Sequence, residues 1–99
     1  MKDIEVEELK ERLANKDTFV FIDVREDYEY EDDNLGALNI PLAKLPNKLS
    51  EIEKHKDDEI IIHCRSGARS GNAKQFLESK GYTKVRNVIG GILAYRALD

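Results

Sequence analysis

The sequence contains 99 residues, of which 40% are hydrophobic, and its 16 basic and 20 acidic side chains give a net charge of −4. This length supports one compact domain, residues 1–99, with a single core. The basic residues are spread along the chain, which argues against nucleic acid as a partner. No apolar run approaches the roughly 18 residues of a membrane span, and the acidic start (MKDIEVEELKERL) is unlike a secretion signal. We therefore expect a soluble cytoplasmic protein that has no membrane partner.

Helix and strand patterns alternate along the chain. Residues 6–15 place their apolar side chains on one helical face, whereas 18–24 (TFVFIDV) and 59–64 (EIIIHC) are short apolar runs typical of buried strands. Strands without polar alternation are covered on both faces, which indicates a parallel sheet. Further predicted elements are short helices near 26–31 and 46–54, a helix within 70–82 that ends at Gly81, a strand over 84–89 and a terminal helix within 90–99. This order predicts an α/β domain with a central, mostly parallel sheet flanked by helices on both faces.

The chain has one cysteine, Cys64, which excludes an internal disulfide and any Cys-x-x-Cys metal or redox motif. Its two histidines, His55 and His63, do not make up a metal site either. His63 precedes Cys64 on a predicted strand, where side chains alternate between faces, so we expect it to pack on the face opposite the cysteine. We predict neither a metal nor another cofactor.

Cys64 stands where a predicted strand ends and a helix begins a few residues later, in IIIHCRSGARS (60–70). Ligands of open parallel sheets bind at the carboxyl ends of the strands. A glycine in the middle of the loop, Gly67, allows successive backbone N–H groups to converge on an anion. Those groups, the start of the next helix and the guanidinium groups of Arg65 and Arg69 would hold the sulfur as a thiolate.

Two interpretations of Cys64 compete. A lone cysteine after an apolar run is often a small buried core residue. A purely structural turn, however, gives no reason for two arginines within five residues of a thiol, with Ser66 and Ser70 as further donors. We therefore favour a nucleophile in an anion-binding loop.

The loop resembles the active loop of the rhodanese family of sulfurtransferases, Cys-Arg-x-Gly-x-Arg-Ser. It consists of Cys64, Arg65, Ser66, Gly67, Ala68, Arg69 and Ser70. The segments FIDVREDYEY, NLGALNIPL and VRNVIGGILAY are similar to three further family signatures in the same order, so the resemblance covers nearly the whole chain. Two places depart from the family pattern: Asp32, Asp33 and Asn34 replace a common Gly-His-Ile, and Tyr95 replaces a common Trp. The resemblance implies a single rhodanese-like α/β domain.

By this resemblance, Cys64 is the catalytic nucleophile and residues 65–70 bind the anionic substrate. Cys64 would attack the outer sulfur of a donor such as thiosulfate and hold it as a persulfide. The sulfur would then pass to a thiophilic acceptor, either cyanide or a thiol. The implied partners are these small molecules and, where the domain serves as a persulfide carrier, a sulfur-accepting protein.

Asp23 is at the end of the strand predicted at 18–24 and Arg25 comes directly after it, so we expect both to lie at the same sheet edge as Cys64. They would brace the loop, as an ion pair or through hydrogen bonds to its backbone. The alternative is an ordinary salt bridge at a strand end, and the sequence leaves both open.

The rival enzyme class is the cysteine phosphatases and arsenate reductases, which also place a thiolate under an anion-binding loop. Those loops have five residues between the cysteine and the arginine, whereas four residues separate Cys64 from Arg69. The shorter loop favours sulfur transfer. A third possibility is a persulfide carrier or sulfur-relay module, which the sequence does not separate from a free-standing enzyme.

Overall fold

A computed structural model describes residues 1–98. Within them, four parallel strands form a sheet in the order β2-β1-β3-β4. The strands are β1 (Val20–Asp23), β2 (Leu38–Asn39), β3 (Ile60–His63) and β4 (Val85–Asn87). The α-helices are α1 (Val6–Ala14), α2 (Asp27–Asp32), α3 (Ala68–Ser79) and α4 (Gly91–Arg96). The predicted α/β fold with a parallel sheet is confirmed.

Helices cover the sheet on both faces because its strands are apolar on both. On one face, Ile60 and Ile62 of β3 pack with Ala73 and Leu77 of α3. On the other face, Ile61 packs with residues of α1 and α4, which lie next to each other. The alternation of β3 side chains between two hydrophobic clusters explains why its sequence shows an unbroken apolar run.

Helix α3 ends at the position that the sequence predicts. The backbone of α3 runs for 12 residues and ends before Gly81, whose φ of 94° allows the left-handed turn that was predicted there.

Among residues 1–98, no helix combines the length and the apolar composition that are needed to cross a lipid bilayer. Asp99, the last residue of the predicted domain and terminal helix, lies outside the described residues.

The polar segment between β1 and β3 differs most from its prediction. The short helix expected near 46–54 is a 3₁₀ segment that begins earlier, at Leu42–Glu51, and continues as Glu53–His55. Pro46 lies inside it, and a proline removes the N–H that an α-helix needs there. The two-residue edge strand β2 has no apolar run to mark it, so its pairing with β1 was not predicted.

Candidate active site

The loop that carries Cys64 joins β3 to α3 at the carboxyl edge of the sheet. β3 ends at His63 and α3 begins at Ala68, two residues earlier than predicted, so only residues 64–67 connect them. Gly67 makes the turn into the helix with a φ of 111°, a backbone conformation that favours glycine. The predicted ligand-binding edge therefore holds the cysteine loop.

The start of α4 fixes the orientation of the loop backbone. The N–H groups of Ile92 and Leu93 donate to the carbonyl oxygens of Cys64 and Arg65, at 2.9 and 3.1 Å. Gly91 permits this approach, because a Cβ on it would lie only 2.4 Å from the Arg65 oxygen. With these carbonyls turned toward α4, N–H groups further along the loop turn toward the cysteine.

The Cys64 sulfur lies at the floor of the loop and faces several donors. The N–H of Gly67 is 3.1 Å from Sγ, and the N–H and hydroxyl of Ser70 lie at 3.4 and 3.3 Å. The cysteine is 1% exposed and Ser70 is fully buried. The N–H groups and the hydroxyl therefore converge on the sulfur, as the glycine-containing loop predicts for an anion-binding site.

The donors favour the ionised form of the thiol. Burial raises the pKa of Cys64, since a buried anion loses its hydration. Hydrogen bonds from the hydroxyl and N–H of Ser70 and from the N–H groups of Gly67 and Ser66 act in the opposite direction. Together they outweigh burial and hold the pKa of Cys64 below its ordinary value, which increases the nucleophilic thiolate at neutral pH.

The two loop arginines lie in different surroundings. Arg69 makes a bidentate ion pair with Glu29 of α2, with N···O distances of 2.7 and 3.0 Å. These hydrogen bonds from Arg69 lower the pKa of Glu29 to about 2. Arg65 is exposed and has no ion-pair partner among residues 1–98. The loop therefore presents one uncompensated cation, not the two that the sequence suggests.

Asp23 and Arg25 form a buried ion pair at the end of β1. The Arg25 guanidinium donates to both carboxylate oxygens of Asp23, at 2.8 to 3.1 Å, and to the carbonyl of Asp33. Within the described part of the chain, neither side chain bonds to residues 65–70. Of the two predicted arrangements, the structure therefore has the strand-end salt bridge without a direct contact to the loop.

His63 lies on the face of the sheet opposite Cys64, as expected from strand alternation. It is fully buried against Phe21, with ring centroids 5.3 Å apart, and its Nε2 lies 3.5 Å from Asp23 Oδ2. Burial lowers the pKa of His63, although the Asp23 charge acts in the other direction. The ring is therefore a packed, neutral side chain and not a base for the cysteine.

A cleft of about 450 Å³ opens beside the loop, and Arg65 lines it. Its other charged lining residues are Arg25, Arg96, Glu29, Asp32 and Asp33. Asp33 pairs with Arg96 at 2.6 Å, so the acidic departure from the family pattern is used to hold α4 beside the cleft. Tyr95, the other departure, packs in the apolar cluster of α1 and α4.

Two residues around the loop were not predicted. Glu29 lies in the acidic stretch YEYEDD, which has the composition of an ordinary solvated helix face, and no local pattern marks its pairing with Arg69. Asn87 ends β4 and hydrogen-bonds to Gly67 and Ser70. No pattern in the sequence marks Asn87 either, because the strand is predicted over 84–89 and this residue would then lie inside it, whereas the observed strand ends at Asn87.

Comparison with known proteins identifies the family. A model of the Rhodanese-like domain family matches residues 5–98. A protein named sulfurtransferase from Allochromatium vinosum is 38% identical over 96 residues, covering 96% of this chain and 88% of that protein. The thiosulfate sulfurtransferase PspE of Escherichia coli K12 is 37% identical over 71 residues, covering 71% and 68%.

Solved structures and longer relatives agree with this result. The structure of the human single-domain sulfurtransferase TSTD1 superposes with a TM-score of 0.84 at 27% identity, over 98% of this chain and 96% of the other. The chain also matches the tRNA uridine(34) hydroxylase of Cronobacter sakazakii at 38% identity over 81 residues, but spans only 23% of that protein. The family is thus found both as separate proteins and within larger ones. This chain belongs to the rhodanese-like domain family.

Proposed function

We propose that this protein is a sulfurtransferase that carries sulfane sulfur as a persulfide on Cys64. The donor is an anion such as thiosulfate, and the acceptor is a thiophilic molecule, either cyanide or a thiol. The observation that carries the proposal is the ring of donors around Sγ, at 3.1 to 3.4 Å, in a loop with an uncompensated arginine. The names of the Allochromatium and Escherichia coli relatives support the same activity.

The first step is attack of the Cys64 thiolate on the outer sulfur of thiosulfate. A bond forms between Sγ and that sulfur, the sulfur–sulfur bond of the donor breaks, and sulfite leaves with the electron pair. The thiol is already ionised and sulfite needs no protonation to leave, so the absence of a general base or acid beside Cys64 in residues 1–98 is compatible with this step. The lowered pKa of Cys64 supports the required thiolate.

The second step returns the cysteine to its starting state. Cyanide or a thiolate attacks the outer sulfur of the persulfide, and Cys64 leaves as a thiolate with the electron pair of the broken bond. The N–H groups of Gly67 and Ser70 stabilise negative charge on either sulfur species, in the way that an oxyanion hole stabilises oxygen.

The arginines have different roles in this proposal. Arg65 is exposed at the cleft and without an ion-pair partner in the described chain, so it attracts and binds the anionic donor. Arg69 is held by Glu29 and acts on the loop itself, by anchoring the first turn of α3 to α2. The pair formed by Asp23 and Arg25 supports the cleft wall through the carbonyl of Asp33.

A persulfide carrier is the second candidate. Three loop residues, Arg65, Ser66 and Ala68, are exposed, which leaves room for a protein acceptor to approach the persulfide. The carrier uses the same first step and differs only in what removes the sulfur.

A cysteine phosphatase is less well supported, since the loop has four residues between Cys64 and Arg69. We further propose a cytoplasmic location, where the single thiol stays reduced.

Mass spectrometry of the intact protein tests the proposal. After incubation with thiosulfate the protein should gain one sulfur atom, and cyanide should remove it with release of thiocyanate. Cys64→Ser is the control, because serine is similar in size but far less nucleophilic at neutral pH. A gain of sulfur by Cys64→Ser would remove Cys64 from its role. Failure of the unaltered protein to gain sulfur, together with hydrolysis of an aryl phosphate, would favour the phosphatase instead.

A further inference from the structure

Asn87 connects the end of β4 to the cysteine loop through both ends of its amide. Nδ2 donates to the carbonyl oxygen of Gly67 at 3.1 Å, and Oδ1 lies 2.5 Å from the hydroxyl oxygen of Ser70. The backbone N–H of Asn87 donates to Asp3, so the residue is fixed from the opposite side as well. Two side-chain hydrogen bonds and one backbone hydrogen bond give the residue one well-defined orientation.

The bonding pattern determines which group holds the Ser70 hydrogen. The Gly67 carbonyl can only accept, so the NH₂ end of the Asn87 amide must face it. The oxygen end then faces Ser70, and because that oxygen can only accept, the Ser70 hydroxyl must be the donor. While Cys64 is a neutral thiol, the single hydroxyl hydrogen therefore points to Asn87 Oδ1, and the bond from Ser70 to the sulfur forms in the ionised state.

That hydrogen has a second possible acceptor, the Cys64 sulfur. Ser70 Oγ lies 3.3 Å from Sγ, and a hydroxyl that donates to Asn87 presents a lone pair to the sulfur instead. A lone pair suits a neutral S–H group, which can donate to it. A thiolate or a persulfide anion needs a donor, so the hydroxyl must turn from Asn87 to the sulfur when the sulfur becomes charged.

We propose that Asn87 is a positioning residue that sets the ionisation of Cys64 by competing with the sulfur for the hydroxyl hydrogen of Ser70. Its Oδ1 takes the hydrogen while the sulfur is a thiol and gives it up when the sulfur is an anion. Its Nδ2 keeps the Gly67 carbonyl turned away from the sulfur in both states. The use of this device in sulfur transfer rests on the proposed function, but the competition itself does not.

Charged groups near Cys64 come from several elements. Arg65 and Arg69 lie in the loop and α3, and Glu29 of α2 pairs with Arg69. Asp3 and Lys74 form an ion pair next to the Asn87 backbone, and His63 with Asp23 lies on the other face of the sheet. Among residues 1–98, none of these side chains bonds to the Ser70 hydroxyl or to the side-chain amide of Asn87. The hydroxyl hydrogen thus responds to Asn87 and the sulfur, with the Gly67 carbonyl as a weaker acceptor at 3.3 Å.

The test is the rate of Cys64 alkylation by iodoacetamide from about pH 5 to about pH 10, which reports the thiolate fraction without any sulfur donor. Asn87→Asp strengthens the acceptor and adds a negative charge, so alkylation near pH 6 should be at least about threefold slower and should recover at high pH. Asn87→Ala removes the acceptor and frees the hydroxyl for the sulfur, so alkylation near pH 6 should be about twofold to threefold faster.

Two controls separate this competition from other effects. Asn72→Asp places the same charge at an exposed position of α3, two residues from Ser70, and should change the rate much less. In a Ser70→Ala background, the effects of both Asn87 variants should fall to less than half. If Asn87 only held the loop in shape, both variants would slow alkylation, and that result would overturn the inference. So would effects that persist unchanged without the Ser70 hydroxyl.

A measurement on the unaltered protein covers the case in which the variants do not fold. The side-chain carbonyl carbon of Asn87 should change its NMR chemical shift as Cys64 ionises, because Oδ1 then loses its hydrogen bond. A chemical shift that stays constant through the Cys64 titration would contradict the inference. Failure of thiosulfate to load the protein would count against the proposed function alone, since neither measurement uses a sulfur donor.

Discussion

Arginines gather at two places in this protein, and they do different things there. Beside α1, Arg12 and Arg86 form ion pairs with Glu8 and Glu59, so each of these four charges has a partner of opposite sign. At the Cys64 loop, the backbone is instead held by N–H groups of α4, and one arginine, Arg65, has no acidic partner in residues 1–98. An arginine that is paired with carboxylates stabilises the fold, whereas an arginine without a carboxylate partner can bind an anion.

The largest effect should come from Gly91→Ala, which removes the backbone contact of the loop. An added Cβ would lie 2.4 Å from the carbonyl oxygen of Arg65 and 2.6 Å from that of Cys64, at a φ of 62°. We expect a loss of about 3 kcal/mol or more in the free energy of unfolding, together with loss of sulfur transfer. Gly36→Ala is the matched control, because it also has positive φ but no atom within 4 Å of its Cβ, and should cost about 1–2 kcal/mol. Equal losses in urea denaturation would mean that the close packing of α4 on the loop does not matter.

Arg86→Ala should reduce stability and leave the chemistry unchanged. The side chain is mostly buried and bonds to Glu8, Glu59 and the carbonyl of Lys2, so its removal leaves a half-buried Glu59 with fewer donors. We expect the free energy of unfolding to fall by about 2–3 kcal/mol, as for the loss of a hydrogen-bonded buried charge. The kcat/KM for thiosulfate, measured well below the unfolding temperature, should stay within about twofold. Lys84→Ala, at an exposed position just before β4, is the control and should change neither quantity.

Arg65→Ala should give the opposite result. With no ion-pair partner to lose among the described residues, the variant should unfold within about 0.5 kcal/mol of the original protein. Its KM for thiosulfate should rise about 10-fold to 100-fold with a smaller change in kcat, because a charge-assisted contact to the donor is lost. Arg69→Ala is the comparison in the same loop and should lower mainly kcat and the reactivity of Cys64. If both variants changed KM and kcat alike, the division of roles between the two arginines would be wrong.

The sequence predicts those parts of the structure that depend on neighbouring residues. The strand predicted at 59–64, the turn at Gly81 and the position of Cys64 between a strand and a helix each follow from local patterns, and all are confirmed, with the strand observed at Ile60–His63. The pairing of Arg69 with Glu29 joins residues 40 positions apart, and the contact of Asn87 with Gly67 joins residues 20 apart. Such contacts depend on how the helices and strands pack, and local sequence patterns do not show which distant residues come together. For this reason the loop sequence, which contains two arginines, predicted more unpaired positive charge than the structure has.

Glu29→Gln should make Arg69 resemble Arg65. Glutamine keeps a hydrogen-bond acceptor for Arg69 but removes the compensating charge, so the loop then presents two uncompensated cations. We expect KM for thiosulfate to fall by about twofold to fivefold, with a steeper dependence on salt concentration, since exposed charges are screened. Asp32→Asn removes the same charge from an exposed residue of the same cleft and should have a smaller effect. A KM that rises in Glu29→Gln would mean that the ion pair serves to shape the loop and not to limit its charge.

The same variant should change how stability depends on pH. The pKa of Glu29 is about 2 in the folded protein because Arg69 stabilises its carboxylate, against roughly 4.3 for an unfolded glutamate. A pKa that is depressed in the folded state gives stability that is present above the unfolded pKa and is lost as the pH falls toward the folded one. At pH 7 the free energy of unfolding of the original protein should therefore be about 1–2 kcal/mol higher than that of Glu29→Gln, after solvent screening is taken into account. This difference should shrink between about pH 5 and about pH 2. A constant difference in urea denaturation across that range would show that Glu29 stabilises the fold by packing rather than by charge.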